Sequence, residues 1–154
     1  MAEKVVVVGP GEAGKSTLVS RVGSQPMNLS HRGRTVAMDH GTLLRGERRA
    51  YLIGLPGQPR FAPVREALLT GAAAVVWVHP EGDLADAWTL DLLAGPLNRL
   101  PYLVLVNRRK GAGVAQRFSA PPTLPPPREV LVADLFGDAA ALKLVEEAIW
   151  RLLE

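Results

Sequence analysis

Eight residues near the start of the chain, Gly9-Pro-Gly-Glu-Ala-Gly14-Lys15-Ser16, set glycine, lysine and a hydroxyl at the spacing G-x-x-x-x-G-K-[ST]. That is the spacing of the phosphate-binding P-loop. The chemistry it points to is anion binding. A helix starting at Lys15 would carry unpaired N–H groups and a positive dipole end in its first turn. Glycines let the preceding loop wrap closely. The N–H groups of Gly11, Glu12, Ala13, Gly14, Lys15, Ser16 and Thr17 can then converge on the same phosphates. Lys15 would reach the β- and γ-phosphates, and the Ser16 hydroxyl would ligate Mg²⁺.

Such a loop needs a strand before it and a helix after it, and the sequence supplies both. The run Val5-Val-Val-Val8 precedes the octet, and Thr17-Leu-Val-Ser-Arg-Val22 follows it. Further along, apolar runs alternate with helical patterns. Strands are expected near 4–9, 36–43, 49–55, 73–79, 101–107 and 129–133. Helices are expected near 15–23, 62–71, 84–99 and 138–153. Asp138 is the expected N-cap of the last helix, and Leu142, Val145, Ile149, Leu152 and Leu153 are its apolar stripe. The runs 75–78 and 103–106 are continuously apolar, as in parallel strands covered on both faces. Segment 36–55 reads as two strands joined by a turn near Arg45-Gly46-Glu47. These elements predict an α/β fold, a doubly wound, mostly parallel six-stranded sheet with one antiparallel edge strand. Residues 23–34 are polar and turn-rich. Residues 108–128 hold two proline runs, and about 120–128 reads as a rigid Pro-rich connector or, alternatively, a ligand for a partner.

The whole chain sets bounds. Its 154 residues suit one domain that can bury a full core. It has no Cys, so thiolate and disulfide chemistry are excluded, and its three His, at 31, 40 and 79, form no zinc spacing. No apolar run reaches the ~18–20 residues of a membrane span. Neither a signal peptide nor a lipidation motif is recognisable, which leads to an expectation of a cytoplasmic protein without a membrane anchor. A net charge of only +3, with scattered basic residues, argues against a nucleic-acid partner.

A second layer of motifs narrows the class. The segment Leu52-Ile-Gly-Leu-Pro-Gly57-Gln58 ends an apolar strand in Pro-Gly-Gln, and Thr35 stands before the second strand. With Thr35-Val-Ala-Met-Asp39 and Gly54-Leu-Pro-Gly-Gln58-Pro-Arg-Phe61, the chain resembles small Ras-like P-loop GTPases. The likeness is strongest to a bacterial and archaeal branch related to the gliding-motility GTPase, often encoded beside roadblock-type partners. It covers most of the chain through residue 107 and then weakens. The resemblance implies a single Ras-like G domain over 1–154, with the P-loop at 9–16, a first switch at about 25–40 and a second at about 54–65. It implies GTP or GDP with Mg²⁺ as ligands. Ser16 and Thr35 would ligate the ion, Gln58 would orient the attacking water, and the Gly57 N–H would bond the γ-phosphate. Arg32, three residues before Thr35, is a candidate arginine finger; the alternative is a solvated loop arginine.

The chain departs from that pattern in three places. Gly54 stands where the family keeps the Asp that holds Mg²⁺ through water. Asp39 on the neighbouring strand is the candidate substitute; the alternative is a strand-edge carboxylate. Pro59 follows Gln58 and stiffens the loop, so Gln58 can also be read as an exposed loop residue. At the base, the family's Asn-Lys-x-Asp becomes Asn107-Arg108-Arg109-Lys110. Asn107 fits, and the stem of Arg108 can stack on the base. Lys110 cannot accept the two bonds that an Asp would. Ala133 would give its backbone N–H to the base oxygen. Asp134 is a candidate for the missing carboxylate; the alternative is a residue of the turn that enters the last helix.

The function expected is a slow GTPase acting as a molecular switch, met by a GTPase-activating or effector protein of roadblock type. Two alternatives stay open. One is a degenerate nucleotide-binding scaffold, favoured by Gly54, Pro59 and Lys110. The other is a P-loop small-molecule kinase, for which the inter-strand segments leave little room.

Overall fold

The structure, a computed structural model, describes residues 2–10, 14–23, 29–31, 34–36, 40–55, 68–80, 87–95, 97–108, 122–137 and 139–154. In chain order the elements are β1 (Ala2–Val8), α1 (Lys15–Arg21), β2 (Leu29–His31), β3 (Arg34–Val36), β4 (His40–Arg45), β5 (Arg48–Gly54), β6 (Ala72–Pro80), α2 (Ala87–Ala94), β7 (Tyr102–Asn107), β8 (Glu129–Ala133) and α3 (Ala139–Leu152).

Six strands form one sheet in the order β4-β5-β1-β6-β7-β8. Five of them run parallel, and β4 pairs antiparallel with β5 at one edge. This is the α/β sheet that the pattern predicts. The strands β2 and β3 form a separate pair, with Ser30 opposite Thr35. The sequence reading places no strand at 29–31, because three residues are too few to show an alternating period. The helix expected over 84–99 ends at Ala94. Gly95 and Pro96 follow, and a proline disfavours helical backbone in the residue before it.

Alternation in β1 feeds two cores. Val5 and Val7 pack with Leu18 of α1 and with Val145, Ala148, Ile149 and Trp150 of α3. Val6 and Val8 pack on the opposite face with Leu68, Leu92, Leu93 and Leu97. Every residue of β7 is buried, as a parallel strand covered on both sides requires. The indole of Trp150 is fully buried, and the guanidinium carbons of Arg45 and Arg48 lie 5.3 and 5.1 Å from its ring centroid. Arg45 also pairs with Glu147, which ties the β4–β5 turn to α3, and Arg48 pairs with Glu3 of β1. Residues 122–128 are fastened at the start of β7. Leu124 is buried there, the Tyr102 hydroxyl donates to Pro125 O, and Arg128 N donates to Tyr102 O at 2.9 Å.

Two features of this layout position the site. First, β1 is central, with β5 on one side and β6 on the other. Chain order therefore reverses at β1, and a crevice opens beyond the C-terminal ends of the parallel strands. The segments after β1, β5, β7 and β8 all meet at that edge. Second, α1 lies against β4 with almost no space between backbones. A Cβ added at Gly41 would sit 2.4 Å from Val19 O, so only glycine is accommodated there.

Candidate phosphate-binding site

The crevice is built from the end of β1 upward. Buried Leu18 and Val19 pin α1 to the sheet, which fixes where its first turn points. Gly14 is the N-cap, with φ +114° and ψ 13°, and Leu18 N closes the first helical bond to Gly14 O at 2.8 Å. Gly14 has no side chain with which to cap the helix. Glycine is required here twice over. The backbone is left-handed, and a Cβ would stand 2.5 Å from Asn107 Nδ2 and 3.2 Å from Leu135 Cδ1.

The Lys15 ammonium donates to Gly9 O at 2.6 Å and to Leu55 O at 3.3 Å. One cation thus spans the ends of β1 and β5, at the mouth of the crevice. Ser16 is exposed in the first turn of α1 and Thr17 is half-buried. This places a lysine, a hydroxyl and a helix N-terminus together, the donor set that a polyphosphate and its Mg²⁺ need.

The far wall hangs on Asn107. Its side chain is only 4% exposed, and its Oδ1 accepts the Leu135 N–H at 3.3 Å. Asn107 therefore touches both the cradle at Gly14 and the turn after β8. Arg108 is exposed, and its N–H donates to Ala133 O at 2.9 Å, which prolongs the β7–β8 ladder by one bond. Ala133 is the last residue of β8, paired with Asn107. Asp134 closes its own turn: Oδ1 accepts the Phe136 N–H at 2.9 Å, and its carbonyl accepts the Gly137 N–H at 2.9 Å. One carboxylate oxygen of Asp134 is thus engaged within its own turn.

Gly54 ends β5 buried beside Val7 and brings no carboxylate. Among the described residues, no group of three or more His, Asp or Glu is arranged to hold a metal. Thr35 lies in β3, opposite Ser30. Gly11, Glu12, Ala13, Arg32, Asp39, Gly57 and Gln58 lie outside the described residues.

Two residues of this wall carry no motif in the sequence. Leu135, fully buried, plugs the space between Gly14 and the β8 turn. Arg21, in the last turn of α1, donates from Nη1 to Leu135 O at 2.8 Å and from Nη2 to Gly137 O at 3.1 Å. A basic residue at a helix end is ordinary. Only the fold shows what it reaches.

The mixed six-stranded sheet, with Gly14 and Lys15 after its central first strand, has the fold of solved G domains. The chain shares that fold over its whole length with the G domain of the T. maritima FeoB iron transporter, at TM-score 0.71 and 21% identity, covering 100% of both chains. It shares it also with Aquifex aeolicus Era, solved bound to GDP·AlF4−, at TM-score 0.67 and 16% identity, over 99% of this chain and 57% of that one. The chain belongs to the same family as the uncharacterized protein MJ1339 of Methanocaldococcus jannaschii: the two are 32% identical over 108 residues, 68% of this chain and 69% of that one. No family model matches it. Among the described residues, no helix is long and apolar enough to cross a membrane.

Proposed function

We propose that this chain is a small GTP-binding protein that hydrolyses GTP slowly and works as a molecular switch in the cytoplasm. The observation that carries the proposal is the cradle itself. Gly14, Lys15 and Ser16 open a helix at the topological switch point of the sheet, and the Lys15 ammonium is already lodged between Gly9 O and Leu55 O. The likeness of fold to Era, a protein solved with GDP·AlF4−, supports the choice of nucleotide. So does the resemblance of the Thr35 and Gly57-Gln58 segments to gliding-motility-type GTPases.

In this reading residues 11–17 bind the phosphates, and Asn107, Arg108, Ala133 and Asp134 border the base. The Ser16 hydroxyl, with Thr35 and Asp39, would hold Mg²⁺, which neutralises charge on the phosphate oxygens. Gln58 orients the water, Arg32 adds positive charge in the transition state, and Gly57 senses the γ-phosphate. Segments 25–40 and 54–65 would present a state-dependent surface to an activating or effector protein of roadblock type.

A second reading, a nucleotide-holding scaffold with little hydrolysis, is favoured by Gly54, which leaves the end of β5 without its carboxylate. One experiment separates the readings. The purified chain is denatured, and the released ligand is identified by chromatography. GDP or GTP supports a guanine-nucleotide protein, and γ-phosphate release to water in a single turnover then supports the switch. Bound nucleotide without release supports the scaffold. Absence of any nucleotide, with no uptake of Mg²⁺–GDP or Mg²⁺–ADP, contradicts both. Transfer of the γ-phosphate to a metabolite rather than to water would point to a kinase instead.

A further inference from the structure

Arg21 reaches from α1 to a turn more than a hundred residues later in the chain, and no step of the proposed reaction uses it. It leaves the last turn of α1 and places two parallel donors on the carbonyls of Leu135 and Gly137, at 2.8 and 3.1 Å. The turn it grips borders the cradle, since Leu135 Cδ1 lies 3.2 Å from the Cβ position at Gly14. Orienting a carbonyl orients the whole peptide plane, including the N–H of the next residue. Arg21 is thus placed to fix the peptide planes that carry the Leu135 and Gly137 carbonyls.

The turn does not need Arg21 to stay folded. Leu135 is fully buried, its N–H bonds Asn107 Oδ1, and Asp134 supplies two internal bonds, to Phe136 N and Gly137 N. Arg21 itself is exposed. Its bond to Gly137 O is exposed and its bond to Leu135 O only part-buried, and such bonds from a long, flexible side chain add little net stability. A rigid planar fork is, however, well suited to fixing two acceptors in one orientation.

We infer that Arg21 is a positioning residue for the nucleotide base: it holds the 134–137 turn in the orientation in which that turn meets the base, so that α1 serves the phosphates at one end and the base at the other. This inference rests on the nucleotide-binding reading.

The test compares two probes with the same number of phosphates, Mg²⁺–GDP and Mg²⁺–pyrophosphate, by isothermal titration calorimetry. Arg21→Ala is expected to weaken GDP about 10-fold while pyrophosphate stays within about 2-fold of the unmodified protein. The melting temperature without ligand should barely move. Arg21→Lys, with a point charge that serves one carbonyl well but not two, should recover part of the loss. Equal loss for both probes, or no loss for GDP, overturns the inference. If Arg21→Ala does not fold, Arg21→Lys decides alone: a selective loss of GDP supports the inference and unchanged GDP binding overturns it. Failure of the unmodified protein to bind either probe would instead sink the nucleotide-binding reading, and this inference with it.

Discussion

The loop after β1 and the turn after β8 close on the same residue, Asn107, yet they are held by different means. The cradle depends on backbone and on one cation: Gly14 in a left-handed conformation, and Lys15 bonded to Gly9 O and Leu55 O. The turn at 134–137 depends on side chains reaching in from elsewhere, Asn107 from β7 and Arg21 from α1, with Asp134 bonding inward. A backbone cradle leaves little freedom for substitution, so its sequence is recognisable. A turn held by side chains can be rebuilt from different residues. Under the proposed function, the phosphate side would supply most of the affinity and the base side selectivity.

The substitution that should do most damage is Lys15→Ala. It removes the cation that would pair with the phosphates, and Mg²⁺–GDP affinity should fall by at least about 100-fold, since charge-assisted bonds are the strong ones. Retained binding would break the comparison at its stronger end. Gly14→Ala comes next. A forced Cβ meets Asn107 Nδ2 and the left-handed backbone together. A stability loss of about 2 kcal/mol in urea unfolding is expected, with both GDP and pyrophosphate weakened, because Gly14 touches both walls.

Asn107→Ala should act more on one side. It leaves the Leu135 N–H without its acceptor in a buried place, a cost of about 1–3 kcal/mol. GDP affinity should fall further than pyrophosphate affinity; an equal fall in both would mean that Asn107 serves the cradle alone. The smallest effect is expected from Asp134→Asn. The amide oxygen can still accept the Phe136 N–H, so stability should change by less than about 0.5 kcal/mol and GDP binding should be unaffected. A 10-fold or greater loss of GDP affinity, about 1.4 kcal/mol, would show instead that the carboxylate reads the base.

How much of this was legible in the sequence follows from the same contrast. The strand β8 falls at 129–133 as expected, and β7 was visible as a continuous apolar run, because period and apolarity are local properties. The G-x-x-x-x-G-K-S octet is local too, so the cradle could be placed before any fold was known. In α3, Val145, Ile149 and Leu152 were legible as the inward stripe, whereas burial of Trp150 was not, because its neighbours come from distant parts of the chain, Arg45 and Arg48 of the β4–β5 edge among them. Arg21 and Leu135 were missed for the same reason. Their contacts join α1 to a turn more than a hundred residues later, and no spacing rule encodes a partner at that distance. The Asp134 carboxylate illustrates the reverse risk. Its residue type suggested a base acceptor, and the geometry adds that one of its oxygens bonds its own turn.

The central claim is that phosphate binding at residues 9–16 dominates the affinity of this protein for its ligand. It is tested most directly by titrating the unmodified chain, in the presence of Mg²⁺, with GDP, pyrophosphate and guanosine in parallel. The account predicts that GDP binds tightest, that pyrophosphate still binds measurably, and that guanosine shows no binding at millimolar concentration. Guanosine binding more tightly than pyrophosphate would contradict it.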